Sequence, residues 1–180
     1  MAGMSASPNV FLIGMMGAGK TTVGRLLARR LKLPFYDSDH EIEARCGVKI
    51  PVIFEIEGEA GFRARETQVI GELARQHGVV LATGGGVVLS TENRASLASH
   101  GTVVYLRARP EDLFSRVRHD RNRPLLAGGN ALSRLRELHE QRDPLYRELA
   151  DIVLDTGSQT PQTLVRELVS KLQPPCKASA

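Results

Sequence analysis

Gly14-Met15-Met16-Gly17-Ala18-Gly19-Lys20-Thr21 directly follows the apolar run Val10-Phe11-Leu12-Ile13 and precedes a helical pattern. A G-x-x-x-x-G-K-[ST] segment between a strand and a helix is a P-loop in its proper context, and it commits the chain to a β-loop-α unit. The glycines let the loop curl, so that successive backbone N–H groups point inward at phosphate oxygens. The helix behind adds the positive end of its dipole. Lys20 is placed to reach β- and γ-phosphates, and the Thr21 hydroxyl, followed by Thr22, can ligate a magnesium ion bridging them. The expected nucleotide contacts are therefore Gly14, Met15, Met16, Gly17, Ala18, Gly19, Lys20, Thr21 and Thr22, with a nucleotide polyphosphate and Mg2+ as the implied ligands.

The rest of the chain repeats that unit. Short apolar, often β-branched runs recur at Val10–Ile13, Phe35–Tyr36, Val79–Ala82, Val103–Leu106 and Ile152–Leu154. Helical spacing fills the intervals at Thr22–Leu31, Phe62–Gln76 and Leu164–Leu172. Five strands alternating with helices predict an α/β fold: a parallel sheet of five strands, covered on both faces by right-handed crossovers. Ligands of such a sheet gather at the carboxyl ends of its strands.

At 180 residues and 42% hydrophobic composition, the chain fits one domain with a sizeable core. The reading is a flexible N-terminus over 1–8, a single P-loop domain over 9–173 and a flexible C-terminus over 174–180. Of the 24 basic residues 19 are Arg, which favours planar, bidentate recognition of carboxylate and phosphate. Binding of single-stranded nucleic acid would need aromatic residues for stacking, and these make up only 4%; nucleic acid is not expected as a partner. Cys46 and Cys176 form neither a disulfide framework nor a zinc site. No run approaches the roughly 20 apolar residues of a membrane span. A cytoplasmic protein is expected, acting as a monomer on a small molecule and not at a membrane.

Further chemistry clusters where the strands end. Asp37-Ser38-Asp39 follows the second strand, and continued alternation would put both carboxylates on one side. A helix is expected from near His40, for which Asp and Ser also serve as caps. Thr83-Gly84-Gly85-Gly86 ends the third strand, where side-chain-free backbone can approach a ligand closely. Arg63 opens a helix and Arg142 lies in Gln141-Arg142-Asp143-Pro144-Leu145-Tyr146. Between two helical stretches, residues 119–131 carry three charged side chains, Pro124 and the pair Gly128-Gly129, the composition of a mobile lid.

Taken together these motifs resemble the shikimate kinase family. The resemblance rests on the P-loop, Asp37-Ser38-Asp39, Gly58-Glu59 followed by Phe62-Arg63, Glu66, Gly84-Gly85-Gly86, Arg123-Pro124-Leu125-Leu126 and Arg142-Asp143-Pro144-Leu145-Tyr146, in the family's order over about residues 9–156. It implies a three-layer, nucleoside-monophosphate-kinase-like fold with a mobile lid, and transfer of the γ-phosphoryl group of ATP to the 3-hydroxyl of shikimate. It further implies that Asp39, Lys20 and Arg123 are catalytic, and that Asp39, Arg63, Gly84, Gly85, Gly86 and Arg142 hold the acceptor. Glu66 would steady Arg63, Thr21 and Asp37 would serve the metal, and Arg116 and Arg123 would reach the nucleotide. Gluconate-type kinases share the P-loop and fold but lack the triple glycine, and are the alternative. Two departures from the family stand out: Asp155–Pro161 lacks the basic residue some members carry near the base, and Pro51 sits where a small or acidic helical residue is common.

Overall fold

The computed structural model describes residues 8–118 and 129–173. Five parallel strands, β1 (Asn9–Ile13), β2 (Phe35–Asp37), β3 (Val80–Ala82), β4 (Gly101–Arg107) and β5 (Ile152–Asp155), stand in the order β2-β3-β1-β4-β5. β1 lies at the centre, and all five of its residues are buried. A strand covered on both faces has no reason to alternate, which is why it reads as an unbroken apolar run. The edge strands β2 and β5 are short and partly exposed, and they blunt the two open edges.

Between the strands lie α1 (Lys20–Leu31), α2 (Ser38–Cys46), α3 (Ile50–Ala74), α4 (Thr91–His100), α5 (Pro110–Val117) and α6 (Ala131–Leu149), with α7 (Pro161–Leu172) closing the chain. The β1-to-β2 connection runs toward one edge, while every later crossover runs toward the other. Right-handed crossovers therefore put α1 on one face and α2 to α6 on the opposite one. α7 returns from β5 to pack beside α1, and α3 packs beside α4. The connections diverge between β1 and β3, so the carboxyl ends of these neighbours open a crevice at the switch point. Among the described residues no helix is long and apolar enough to cross a membrane.

The strands match expectation apart from their ends, whereas the helices are longer than their apolar periodicity indicated. α3 begins at Ile50 with Pro51 in its first turn, where the missing N–H costs nothing. It is broken at Gly58, whose φ of 71° and ψ of −178° only glycine adopts readily. That break separates an outer arm from the segment carrying Phe62, Arg63 and Glu66. The lid expected over 119–131 lies almost wholly outside the described residues, as do Arg123 and residues 174–180.

Candidate active site

Residues of the P-loop, β2 and β3 line a cleft of about 340 Å³ at the carboxyl ends of the strands: Met16, Gly17, Gly19, Lys20, Thr21, Thr22, Asp37, Asp39, Thr83, Gly85 and Arg116. Gly19 caps α1 with φ 94° and offers no side-chain cap. The first N–H groups of that helix therefore stay available to an anion. Gly14 turns where any Cβ would sit 2.6 Å from the Leu106 carbonyl oxygen. Lys20 is buried and its ammonium donates to the carbonyls of Gly14 and Met15 at 2.7 and 2.8 Å, which holds the charge at the loop. Arg116 donates to the Gly17 carbonyl at 3.0 Å and to the Gly157 carbonyl at 3.4 Å. It thus ties the P-loop to the segment behind β5.

The Asp37 and Asp39 carboxylates both reach the cleft, but not by strand alternation. α2 starts at Ser38, two residues earlier than expected, and Asp37 is its N-cap, with Oδ1 accepting from the Asp39 and His40 amides at 3.0 and 3.2 Å. The cap geometry turns the chain, so Asp39 rides on the first helical turn. The other oxygen of Asp37, Oδ2, accepts from the Thr21 hydroxyl at 2.6 Å. A hydroxyl and a carboxylate side by side are the hard oxygen donors that magnesium takes. Among the described residues no three His, Cys, Asp or Glu side chains cluster for a metal. A metal here would draw its other ligands from phosphate and water, as magnesium commonly does.

The triple glycine makes room for side chains instead of supplying flexibility. A Cβ on Gly84 would stand 2.7 Å from Asp39 Oδ1 and 2.8 Å from Glu66 Oε2, one on Gly86 would meet the Arg63 guanidinium, and one on Gly85 would lie 3.4 Å from Arg142 Nη1. Two acids and two arginines thus crowd one stretch of bare backbone. Arg63 pairs with Glu66 at 2.9 Å and with Glu59 at 3.3 Å. Glu66 is fully buried, and this burial pushes its carboxyl up from the usual range, with Arg63 and then Arg142 pulling against it. Arg142 is only 2% exposed, yet its Nε and Nη1 have no hydrogen-bond partner among the described residues; Arg63 Nε has none either. Leaving a buried charged donor unmade costs about 1–3 kcal/mol or more. A guanidinium in that condition beside a phosphate-binding loop has donors to offer an anionic group.

The sequence model of the shikimate kinase family matches residues 16–173. The chain belongs to the shikimate kinase family. It is 65% identical over 170 residues to the shikimate kinase of Ralstonia nicotianae, covering 94% of this chain and 89% of that one. It is 63% identical to the shikimate kinase of Thiobacillus denitrificans, covering 94% and 92%. Its fold matches that of the Acinetobacter baumannii shikimate kinase solved in complex with shikimate, with a TM-score of 0.91 and 48% identity over 92% of this chain and 93% of that one.

Within this family member, the structure gathers Gly14–Thr22, Asp37, Asp39, Arg63, Gly84–Gly86, Arg116 and Arg142 around one crevice. Two side chains to which sequence reading gave no such role, Ser38 and Thr83, hold the crevice in shape, and a third, Asn9, ties the opposite end of the sheet. Ser38 is fully buried and accepts the Gly84 amide at 3.1 Å. Thr83 donates to the Leu12 carbonyl at 2.8 Å, joining β3 to β1 beneath the P-loop. Asn9, read as lying just ahead of the first strand, is buried; its amide donates to the Ala74, Gln76 and His100 carbonyls and its Oδ1 accepts the Val79 amide. The only local signal for Asn9 is a polar residue directly ahead of an apolar strand.

Proposed function

We propose that the chain transfers the γ-phosphoryl group of ATP to the 3-hydroxyl of shikimate, giving shikimate 3-phosphate and ADP, a step toward the aromatic amino acids. The observation that carries this reading is the buried Arg142 guanidinium, with two unsatisfied donors, next to the triple glycine that lies against the P-loop. Shikimate carries one carboxylate and a set of hydroxyls. Its carboxylate offers acceptors to the unpartnered Nε and Nη1 of Arg142 and to Arg63 Nε, and its 3-hydroxyl then faces the nucleotide.

Phosphoryl transfer asks a protein mainly for positioning, charge neutralisation and exclusion of water. The α1 N-terminus and the P-loop amides hold the phosphates, and Lys20 leaves the Gly14 and Met15 carbonyls to neutralise charge on the transferring group. Asp39 receives the hydrogen bond of the acceptor hydroxyl. The proton moves toward that carboxylate as the new oxygen–phosphorus bond forms and the bond to ADP breaks. Thr21 and Asp37 would hold magnesium, which would supply positive charge to the bound phosphates. Glu66 fixes the Arg63 fork at 2.9 Å. Arg116, tied to Gly17 and Gly157, is assigned to the base of the nucleotide. We further propose that the chain acts as a monomer in the cytoplasm.

The test is ADP release with ATP and magnesium against a panel of acceptors. Shikimate should give turnover, while gluconate and nucleoside monophosphates stay inert. Equal or greater turnover on gluconate would transfer the assignment to gluconate-type kinases.

A further inference from the structure

Tyr146 follows Arg142 by one turn of α6, is fully buried, and donates its hydroxyl to the Gly85 carbonyl. Gly85 is where the acceptor wall meets the phosphate loop: its Cβ position lies 3.4 Å from Arg142 Nη1, 3.4 Å from the Met16 amide and 3.6 Å from the Gly14 carbonyl oxygen. The Tyr146 oxygen also stands 3.8 Å from Met15 Sδ, so a single hydroxyl touches both the triple glycine and the P-loop. Burial pushes the phenol above its ordinary value, and it remains a protonated donor at any working pH.

The ring is held from behind. Its centroid lies 4.8 Å from that of Tyr105 in the sheet, at an interplanar angle of 31°. The Tyr105 hydroxyl donates to Asp143 Oδ1 at 2.7 Å, and Asp143 Oδ2 pairs with Arg147 at 2.8 Å. Two tyrosines are therefore stacked, but their hydroxyls serve opposite sides. That of Tyr105 ends in a structural pair on α6, and that of Tyr146 ends in the site.

We propose that Tyr146 is a positioning residue for the reaction: its hydroxyl clasps the Gly85 carbonyl and fixes the separation between the acceptor cradle and the P-loop. This rests on reading the site as an ATP–shikimate kinase. In-line transfer is sensitive to that separation, because misplacing reacting groups by about 1 Å can cost on the order of 10²-fold in rate. Arg142 on the same helix turn moves with Tyr146, so the residue that holds the acceptor and the residue that holds the loop are one rigid unit.

The matched variants Tyr146→Phe and Tyr105→Phe test it, since each deletes one hydroxyl from the same stacked pair and keeps the ring. Both should lower Tm to a similar extent. Only Tyr146→Phe should lower kcat, by about 10-fold or more, with the KM for ATP within about twofold of wild type. Tyr105→Phe should keep kcat within about twofold. Unchanged kcat in Tyr146→Phe, or parallel loss of kcat in both variants, would overturn the positioning role. Wild-type protein is assayed alongside; its failure to phosphorylate shikimate would remove the kinase reading itself, and the two failures are thereby told apart.

Discussion

Gly86→Ala isolates the use of bare backbone in the acceptor cradle. Gly86 has φ −90° and ψ 5°, which alanine tolerates, so the substitution adds no backbone strain. Its new methyl group would lie 2.5 Å from Arg63 Cζ, closer than any real contact, and Arg63 is the flexible partner that must yield. Moving it breaks the 2.9 Å bond to Glu66 and takes the guanidinium away from the acceptor. A hydrogen bond to a charged group is worth about 1.5–3 kcal/mol. At 1.4 kcal/mol per tenfold, this predicts a roughly 10- to 150-fold rise in the KM for shikimate. The KM for ATP should stay within about twofold, because no P-loop atom is touched. Steady-state kinetics of ADP release measures both values. A double-mutant cycle sharpens the test: Gly86→Ala combined with Arg63→Ala should be no worse than Arg63→Ala alone, since both act through the same guanidinium. A shikimate KM within threefold of wild type, or full additivity in the cycle, would refute the reasoning.

Lys20→Met should leave Tm close to wild type and cut kcat by about 10²–10³-fold, because it removes a charge aimed at the transferring group; near wild-type kcat would contradict the P-loop role. Asp39→Asn keeps the shape but cannot take a proton, and kcat should fall on the order of 10²–10⁴-fold. A change confined to KM would make Asp39 a binding residue only. Glu66→Gln gives a pH signature. Burial raises the folded Glu66 carboxyl above its ordinary value near 4.5, so the native state keeps a proton that the unfolded chain has released. That stabilising contribution is complete below the ordinary range and is lost as pH rises through the folded value. The Tm of Glu66→Gln relative to wild type should therefore climb as pH rises above the ordinary carboxyl range, and a flat difference in thermal unfolding would contradict it.

The P-loop was legible because its chemistry is contiguous: eight residues make one loop, and the strand and helix around it announce themselves. The central strands were equally plain, since burial on both faces leaves continuous apolar runs such as Phe11-Leu12-Ile13. Asp37 and Asp39 do line the cleft, but the strand period was carried too far. The buried Ser38 already belongs to α2, and the capping by Asp37 sets where Asp39 points. Arg142 was singled out through the family motif, but its near-complete burial and its approach to Gly85, 57 positions away in the chain, are tertiary facts that no local pattern encodes. The clasp of Tyr146 on Gly85 spans 61 positions, and the Asn9 bonds to Ala74 and Val79 span 65 and 70. Such pairings depend on topology. Sequence periodicity reports only which face of an element is apolar.

The central claim is that a buried arginine cradle beside the P-loop selects a carboxylated acceptor, and one comparison tests it most directly: kcat/KM for shikimate against shikimate methyl ester, at saturating ATP and magnesium. The ester keeps every hydroxyl and replaces the carboxylate charge, which would meet the unpartnered donors of Arg142 and Arg63 Nε, with a neutral group one methyl larger. With about 3 kcal/mol or more at stake across two charge-assisted contacts, the ester should be a worse acceptor by at least about 10²-fold. Equal kcat/KM for acid and ester would show that the orphaned donors of Arg142 do not hold the acceptor, and the account of this site would fail at its centre.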